Sequence, residues 1–266
     1  MKINSILIVF LFLSIGLFAQ ENNSILDESI PGMITDRPDA TESPKTVPFK
    51  MFQIETGGLY SSNKDQGVKT VLLNFNNTLL RYGLSDRFEL RLAWSISETR
   101  ETFENESSRV VGSGFAPLVL GAKVEITEEK RLLPDIGLMI HMSLPFLAST
   151  DYKPETTGVS FRFAFAHTLN EKSGISYNLG ARWADDYPEV TYIYTLSYGY
   201  SITDKLSAYG EVYGDFSVND KANHSCDAGL TYLIKNNLQI DATIGAGFTG
   251  NQDLLLGAGV SYRMPN

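Results

Sequence analysis

The stretch Val190–Ile202, VTYIYTLSYGYSI, alternates with a period of two. One set of alternate positions is aromatic or aliphatic, from Tyr192 to Ile202, and the other is small and mostly polar, from Thr191 to Ser201. A period of two predicts a β-strand with two unlike faces. A water-soluble sheet would bury the aromatic face in a core, whereas a membrane barrel would turn that face to lipid and line its lumen with the small one.

The same alternation recurs between residues 51 and 264 and predicts twelve strands. They lie at about residues 51–60, 70–82, 87–97, 114–126, 135–146, 158–169, 174–184, 190–202, 205–216, 222–234, 237–248 and 254–264. The pattern is weak over 70–78 and over 205–216, where Tyr209, Glu211 and Tyr213 share a face, so the sequence leaves the register of these stretches open.

The connections between these strands alternate in length. Short, similar turns such as 84–88 and 202–206 alternate with longer polar loops such as 97–114 and 148–157. Short turns at one end and long loops at the other are typical of an up-and-down outer-membrane barrel. The sequence therefore predicts an all-β transmembrane barrel of about twelve antiparallel strands, with the short turns and both termini at the periplasmic end.

The apolar faces of the strands carry aromatic residues near both ends, as expected where rings meet lipid headgroups. The opposite faces carry charged residues, which would line the lumen. They are Glu55, Arg81, Glu89, Arg91, Lys123, Glu125, Arg162, Arg182, Glu211, Asp227, Asp241 and Arg263. Because unpaired buried charges are costly, we expect these side chains to pair or to meet water. Opposite signs alternate on neighbouring strands, so we predict a salt-bridged lattice, with a structural role as the first interpretation and a role in selectivity as the second.

The first 50 residues lack a strand pattern. Residues 1–20 have a short positive start, an apolar stretch and a closing alanine, which predicts a secretory signal peptide. Residues 21–50 form a proline-rich polar leader. Its first interpretation is a solvated segment in the periplasm, and its second is a plug that folds back into the lumen. The candidate plug residues are Asp36, Arg37, Pro38, Asp39 and Glu42.

Composition excludes several other classes of protein. The formal net charge of −9 argues against a nucleic-acid partner, and no interior run reaches the ~18 apolar residues of a membrane helix. The chain has one cysteine, Cys226, and no His and Cys pattern at metal spacing, so we expect neither a metal nor another cofactor. His224 and Ser225 are adjacent in a predicted strand and point to opposite faces, so they do not form a catalytic pair. We expect no enzyme activity.

Four segments occur in the order found in a known family. They are TDRPDATESP (35–44), VPFKMFQIETGGLY (47–60), LLRYGLSDRFELRL (79–92) and PLVLGAKVEI (117–126). The sequence thus resembles an outer-membrane transporter-like family labelled with the meta-pathway of phenol degradation. The resemblance implies an outer-membrane β-barrel. It also indicates the positions on the leader and on the strands at which this sequence matches the family pattern. These positions are Asp36, Arg37, Pro38, Arg81, Glu89 and Arg91.

Three functions are compatible with these observations. The first is a passive outer-membrane channel for small solutes, aromatic or hydrophobic ones among them. The second is a closed barrel with a structural or partner-binding role, and the third is a soluble all-β protein of the periplasm. For a barrel, the expected partners are outer-membrane lipid, an unidentified small solute and the barrel-assembly machinery that inserts it.

Overall fold

The computed structural model describes residues 32–65, 67–104, 109–183, 189–219, 221–249 and 252–264. The predicted signal peptide and the first part of the leader lie outside these ranges. Within them, no helix has the length and apolar character required to cross a membrane.

The described chain forms one antiparallel sheet that closes on itself, because the first strand, β1, pairs with the last, β13. The strands are β1 (Phe52–Asp65), β2 (Val68–Ser85), β3 (Phe88–Phe103), β4 (Arg109–Phe115), β5 (Leu118–Thr127), β6 (Asp135–Leu144), β7 (Val159–Asn170), β8 (Ser173–Trp183), β9 (Val190–Ser201), β10 (Leu206–Ser217), β11 (Asn223–Lys235), β12 (Leu238–Thr249) and β13 (Gln252–Arg263). Full closure leaves no sheet edge along the membrane-spanning part of the wall.

β4 and β5 are two parts of one wall strand. β3 pairs with β4 from Ile96 to Thr102 and with β5 from Phe88 to Ala93. The interruption falls at Pro117, which has no N–H to donate to the ladder. The barrel therefore has twelve wall strands, as the sequence predicts.

The prediction of a loop over 97–114 is wrong. β3 continues to Phe103, and its end pairs with β4. Beyond the membrane both faces of a hairpin meet water, so its sequence loses the alternation on which the strand prediction depends. The loop after β6 carries two short 3-10 helices, Pro145–Leu147 and Thr150–Tyr152. This loop covers β4, since Ser113 N donates to Asp151 Oδ2 at 2.9 Å.

Two stretches of open register are now assigned. β2 carries a bulge around Phe75, where the pairing with β3 shifts between Asn74 and Asn76, and the bulge explains the weak alternation over 70–78. In β10, Glu211 pairs with Asp227 of β11 and is buried, so the face shared with Tyr209 and Tyr213 points into the lumen.

Apolar side chains are on the outside of the barrel and charged ones are inside. Ile140 and Ile244 of the outer surface are 53% and 57% exposed, whereas Glu55, Glu89 and Lys123 of the inner surface are 0% exposed. This inversion of a water-soluble protein is the arrangement of a barrel in a bilayer, where lipid covers the apolar surface. We name the two ends by their connections: the turn end carries the 85–88 and 201–206 turns, and the loop end carries the 144–159 and 183–190 connections.

Candidate functional site

The leader from residue 32 to residue 50 runs inside the barrel as a loop. It starts at the turn end, where Gly32 O accepts from Arg263 Nη1 at 3.4 Å. Its tip lies at mid-height, where the Thr41 and Thr195 hydroxyls are 2.7 Å apart. It returns to the turn end, where Lys50 N donates to Gly83 O at 2.8 Å. A bond of 2.9 Å from Ser43 N to Asp36 Oδ1 closes the base of this loop.

Asp36 is the centre of a buried ionic cluster on the inner wall. Its Oδ2 lies 2.7 Å from Arg91 Nη1, 2.8 Å from Lys123 Nζ and 3.3 Å from Arg81 Nη1. Two wall carboxylates complete the cluster. Arg81 contacts Glu55 at 2.8 Å and binds both oxygens of Glu89 at 2.9 Å. The six charged side chains come from the leader and from four strands, β1, β2, β3 and β5, which only folding brings together.

The leader neutralises the excess positive charge of the wall around Arg81, Arg91, Lys123 and Arg162. Four wall cations, Arg81, Arg91, Lys123 and Arg162, face two wall carboxylates, Glu55 and Glu89, which leaves two positive charges unmatched. The leader supplies two negative charges that balance them, Asp36 and Glu42. Asp36 contacts three of these cations, and Glu42 contacts Arg91 and, at 3.5 Å, Arg162. Since unpaired charges are costly in a buried lumen, the wall and the leader are electrostatically complementary.

Wall side chains also provide hydrogen-bond partners for the leader backbone between residues 36 and 47. Asp36 N donates to Glu55 Oε2 at 2.9 Å, and Val47 N donates to Glu89 Oε2 at 2.8 Å. Glu42 is held from both sides, because its N–H donates to Asn178 Oδ1 at 2.8 Å and its carbonyl accepts from Asn178 Nδ2 at 2.9 Å. Buried backbone groups need such partners, and here the wall provides them.

The acidic side of the lumen, on β10 to β12, meets the one leader arginine. Arg37 Nη2 lies 3.0 Å from Asp241 Oδ1. The guanidinium packs on two paired glycines, Gly57 of β1 and Gly259 of β13. A Cβ at either glycine would come within 2.5 Å of Arg37 Nη2, so a larger residue there would require the arginine side chain to move.

Two more inward glycines admit the returning leader. A Cβ at Gly83 would lie 2.1 Å from the carbonyl oxygen of Pro48, and one at Gly137 would lie 2.7 Å from that of Pro44. Both clashes are with backbone, which cannot move aside as a flexible side chain can. These glycines are the close backbone approaches that inward-facing glycines of a strand often mark.

The tip of the leader lies against Glu211. Ala40 N donates to Glu211 Oε2 at 2.7 Å, and the Thr41 hydroxyl donates to Glu211 Oε1. Burial and the neighbouring Glu211 carboxylate raise the pKa of Asp39 well above its ordinary value of 3.8. Asp36 is the opposite case. Burial opposes its ionisation, but Arg81, Lys123 and Arg91 outweigh burial and hold its pKa below 3.8.

Two cavities flank this tip along β9. The loop-end cavity, of about 450 Å³, is lined by Ile193 and Thr195 of β9 and by Ala40 of the leader. The turn-end cavity, of about 430 Å³, is lined by Ser197, Gly199 and Ser201 of β9 and by residues 37–39 of the leader. The small face of β9 thus borders open space both above and below the tip.

Sequence reasoning missed several residues that hold the leader. Lys45 Nζ lies 2.7 Å from both Glu125 and Asp135, and Gln53 Nε2 donates to Ile34 O at 2.8 Å. Asn178 and Thr195 also belong to this set. Gln53, Asn178 and Thr195 are uncharged and give no signal in a search for charges on alternate positions. Lys45 lies in the leader, which has no such alternation.

The remaining wall charges lie outside the ionic cluster. Arg182 pairs with Asp215 at 2.8 Å near the loop end and is nearly half exposed. Asp227 is buried on β11 beside Glu211. His224 Nδ1 lies 2.6 Å from the Tyr194 hydroxyl, while the hydroxyl of its neighbour Ser225 donates to Gln252. Over the described ranges, no group of three or more His, Cys, Asp or Glu side chains is arranged to hold a metal ion.

Comparison with solved structures places this fold among outer-membrane barrels. It is similar to an outer-membrane channel from Pseudomonas putida F1, with a TM-score of 0.66 and 14% identity over 86% of this chain and 99% of that chain. It is also similar to the KdgM porin in complex with disordered oligogalacturonate, with a TM-score of 0.51 and 10% identity over 79% and 98% of the two chains. The translocator domain of the autotransporter NalP from Neisseria meningitidis gives a TM-score of 0.51 and 10% identity over 81% and 88%. At these identities the likeness shows the fold.

The class of protein defined by this fold is therefore the outer-membrane β-barrel. Residues 35–264 match the model of the family described as "Putative MetA-pathway of phenol degradation", and the chain belongs to this family. The match begins at Thr35, so it includes the leader loop as well as the wall. Among the curated proteins compared, none matches the sequence.

Replacement of Asp36 by Asn tests the ionic cluster. It leaves Arg81, Arg91 and Lys123 buried with one carboxylate fewer, so we expect the free energy of unfolding to fall by about 3–5 kcal/mol. Urea unfolding of the folded barrel in lipid vesicles measures this. The matched control is Asp204→Asn in an exposed turn, for which we expect a change within about 0.5 kcal/mol. Equal stability of the two variants would contradict the central position of Asp36.

Proposed function

We propose that this protein is a passive outer-membrane channel for small solutes, and that the leader loop closes its path. The observation that carries this proposal is the position of the leader tip between two cavities. A solute that moved along β9 from the loop-end cavity to the turn-end cavity would meet Asp39, Ala40 and Thr41. On the β1–β5 side of the lumen, the charged side chains of the ionic cluster are almost fully buried.

The base and the tip of the leader loop are held by contacts of different strength. The β1–β5 side is held by Asp36, whose three cations are all buried. The tip is held by hydrogen bonds to Glu211 and Thr195 and borders open space. We infer that the tip moves to open the path while the Asp36 cluster keeps the base of the loop in place. Opening then requires the loss of a few hydrogen bonds rather than of buried ion pairs, which would cost far more.

We propose that residues 1–20 direct export, that the barrel-assembly machinery inserts the chain, and that the turn end faces the periplasm. The apolar outer surface supports contact with outer-membrane lipid. The leader loop starts and returns at the turn end, so under this orientation it closes the channel from the periplasmic side.

A second candidate is a closed barrel with a structural or partner-binding role. The observation that favours it is the full pairing of Asp36, Arg81 and Lys123, which resembles a structural core more than a solute path. The two candidates differ in what happens when the tip is released, because a closed structural barrel stays impermeable.

Replacement of Glu211 by Ala tests the channel. It removes both acceptors that hold Ala40 and Thr41, so we expect a several-fold rise in single-channel open probability in planar bilayers. The matched control is Glu128→Ala, which removes an exposed carboxylate paired with Arg87 at the turn end. A second substitution, Thr195→Arg, is then made in the Glu211→Ala protein. It places a long side chain beside the open path, so we expect the single-channel conductance to fall below that of Glu211→Ala.

If the wild type, the Glu211→Ala variant and a form lacking residues 22–50 all fail to conduct and fail to speed solute uptake into vesicles, the closed structural barrel is the better account.

The raised pKa of Asp39 predicts a pH dependence of opening. The neutral acid is favoured while the tip is in place, so this contribution to its stability is fully present below 3.8 and is lost as the pH rises through the raised pKa. We therefore expect open probability to increase from mildly acidic to alkaline pH. Asp39→Asn, which keeps the group neutral, removes this dependence and favours the closed state. An unchanged pH profile in that variant would show that Asp39 does not control the tip.

A further inference from the structure

We propose that the loop-end cavity is a binding site for a small organic carboxylate, held by Arg162 and Arg182. The inference deepens the proposed function, on which it rests in so far as this cavity belongs to the solute path. The cavity has a volume of about 450 Å³, within the range of small-molecule sites. It lies on the loop-end side of the leader tip, so a solute that comes from the loop end reaches it first.

The two arginines lie on neighbouring strands and face the same space. Arg162 of β7 is opposite Gly180 of β8, and Arg182 is two residues farther along β8. Such diagonal neighbours lie about 7–8 Å apart on a sheet, within reach of one ligand for side chains as long as arginine. Both line the loop-end cavity.

Neither arginine is fully used by the protein. The contacts of Arg162 Nη1 are long, at 3.5 Å to Glu42 Oε1 and 3.4 Å to Ala40 O, and its side chain is one quarter exposed. Arg182 contacts Asp215 through Nη2, and its side chain is 46% exposed. By contrast, Arg81 of the ionic cluster is 1% exposed and binds three carboxylates at 3.3 Å or less. Among the residues that the structure describes, Arg162 and Arg182 therefore keep donors open to a ligand.

A third donor lies on the opposite side of the cavity. The amide nitrogen Nε2 of Gln252 is buried beside the Tyr213 hydroxyl, and its Oε1 atom accepts from the Ser225 hydroxyl. Gln252 lines the same cavity as the two arginines. An amide group has two N–H donors, so a ligand oxygen in the cavity could accept the second one.

The charge of the cavity selects an anion. Among the described residues, its charged lining consists of two arginines and one carboxylate, Asp215, in a chain whose net charge is −9. The guanidinium fork matches the planar, two-oxygen geometry of a carboxylate. Ile193 and Tyr213 line the same space and provide apolar contact for the body of the solute. These features together favour a carboxylate on a small, partly apolar body over a neutral or cationic molecule.

Binding at this site is coupled to the leader. A carboxylate at Arg162 competes with Glu42, which sits one residue after Thr41 in the tip. It thus weakens one of the contacts that hold the tip without disturbing Asp36. The bound anion replaces Glu42 as the partner of Arg162.

The test compares three probes with the same ring and different charge: benzoate, benzyl alcohol and benzylammonium. Isothermal titration calorimetry of the full chain in detergent measures their affinities. We expect benzoate to bind roughly tenfold or more tightly than benzyl alcohol, and benzylammonium to bind most weakly. The preference disappears in Arg162→Gln and Arg182→Gln, and it persists in the control Arg87→Gln, which changes an exposed arginine at the turn end.

Three results would overturn the proposal: no binding of benzoate, equal or tighter binding of benzyl alcohol, or tightest binding of benzylammonium. The probe series on the wild type decides the matter even if an arginine variant fails to fold. Failure here also differs from failure of the channel. A barrel that conducts but shows no benzoate preference loses the carboxylate site alone, whereas a barrel that binds benzoate but never conducts loses the transport function.

Discussion

The contact of Asp36 with three buried cations is the interaction on which the interior of this barrel depends. Arg81, Arg91 and Lys123 are almost fully buried on three neighbouring strands, β2, β3 and β5, on one side of the lumen. The wall carboxylates Glu55 and Glu89 do not balance them. A charge from outside the wall is required, and the leader provides it. The leader is thus part of the interior of the folded barrel, and the charges and hydrogen-bonding groups of the wall complement those of the leader.

The path of the leader through the rest of the lumen depends on the position of Asp36. With Asp36 fixed, the leader passes over Gly57 and Gly259, reaches its tip at Glu211, and returns past Gly137 and Gly83. Glycine occurs where the leader approaches most closely, and Asn178 and Glu89 occur where its backbone needs partners. Along β9 the wall instead carries Thr, Ser and Gly, and open space remains. One side of the barrel is therefore filled with charge, and the other has room for a solute.

Much of the wall was predictable from the sequence, because lipid outside and a polar lumen inside impose a period of two. The alternation locates all twelve wall strands and assigns Arg81, Glu89 and Lys123 to the inner face. It fails over 97–114, where water meets both faces, and around Phe75, where a bulge changes the phase. It also cannot find Asn178, Lys45 or Gln53. Asn178 and Gln53 matter only because the leader lies against them, and Lys45 belongs to the leader itself. The path of a segment without periodicity is fixed by long-range contacts that leave no local pattern.

Hydrogen–deuterium exchange of the leader amides in the full chain tests the central claim most directly. Four of these amides donate to wall side chains: those of Asp36, Ala40, Glu42 and Val47. We expect strong protection at Asp36, Glu42 and Val47, and weaker protection at Ala40 in the tip, because amides exchange as fast as their local structure opens. Exchange of all four at the rate of a free peptide would contradict the account, since the leader would then lie outside the lumen and the wall cations would need another partner.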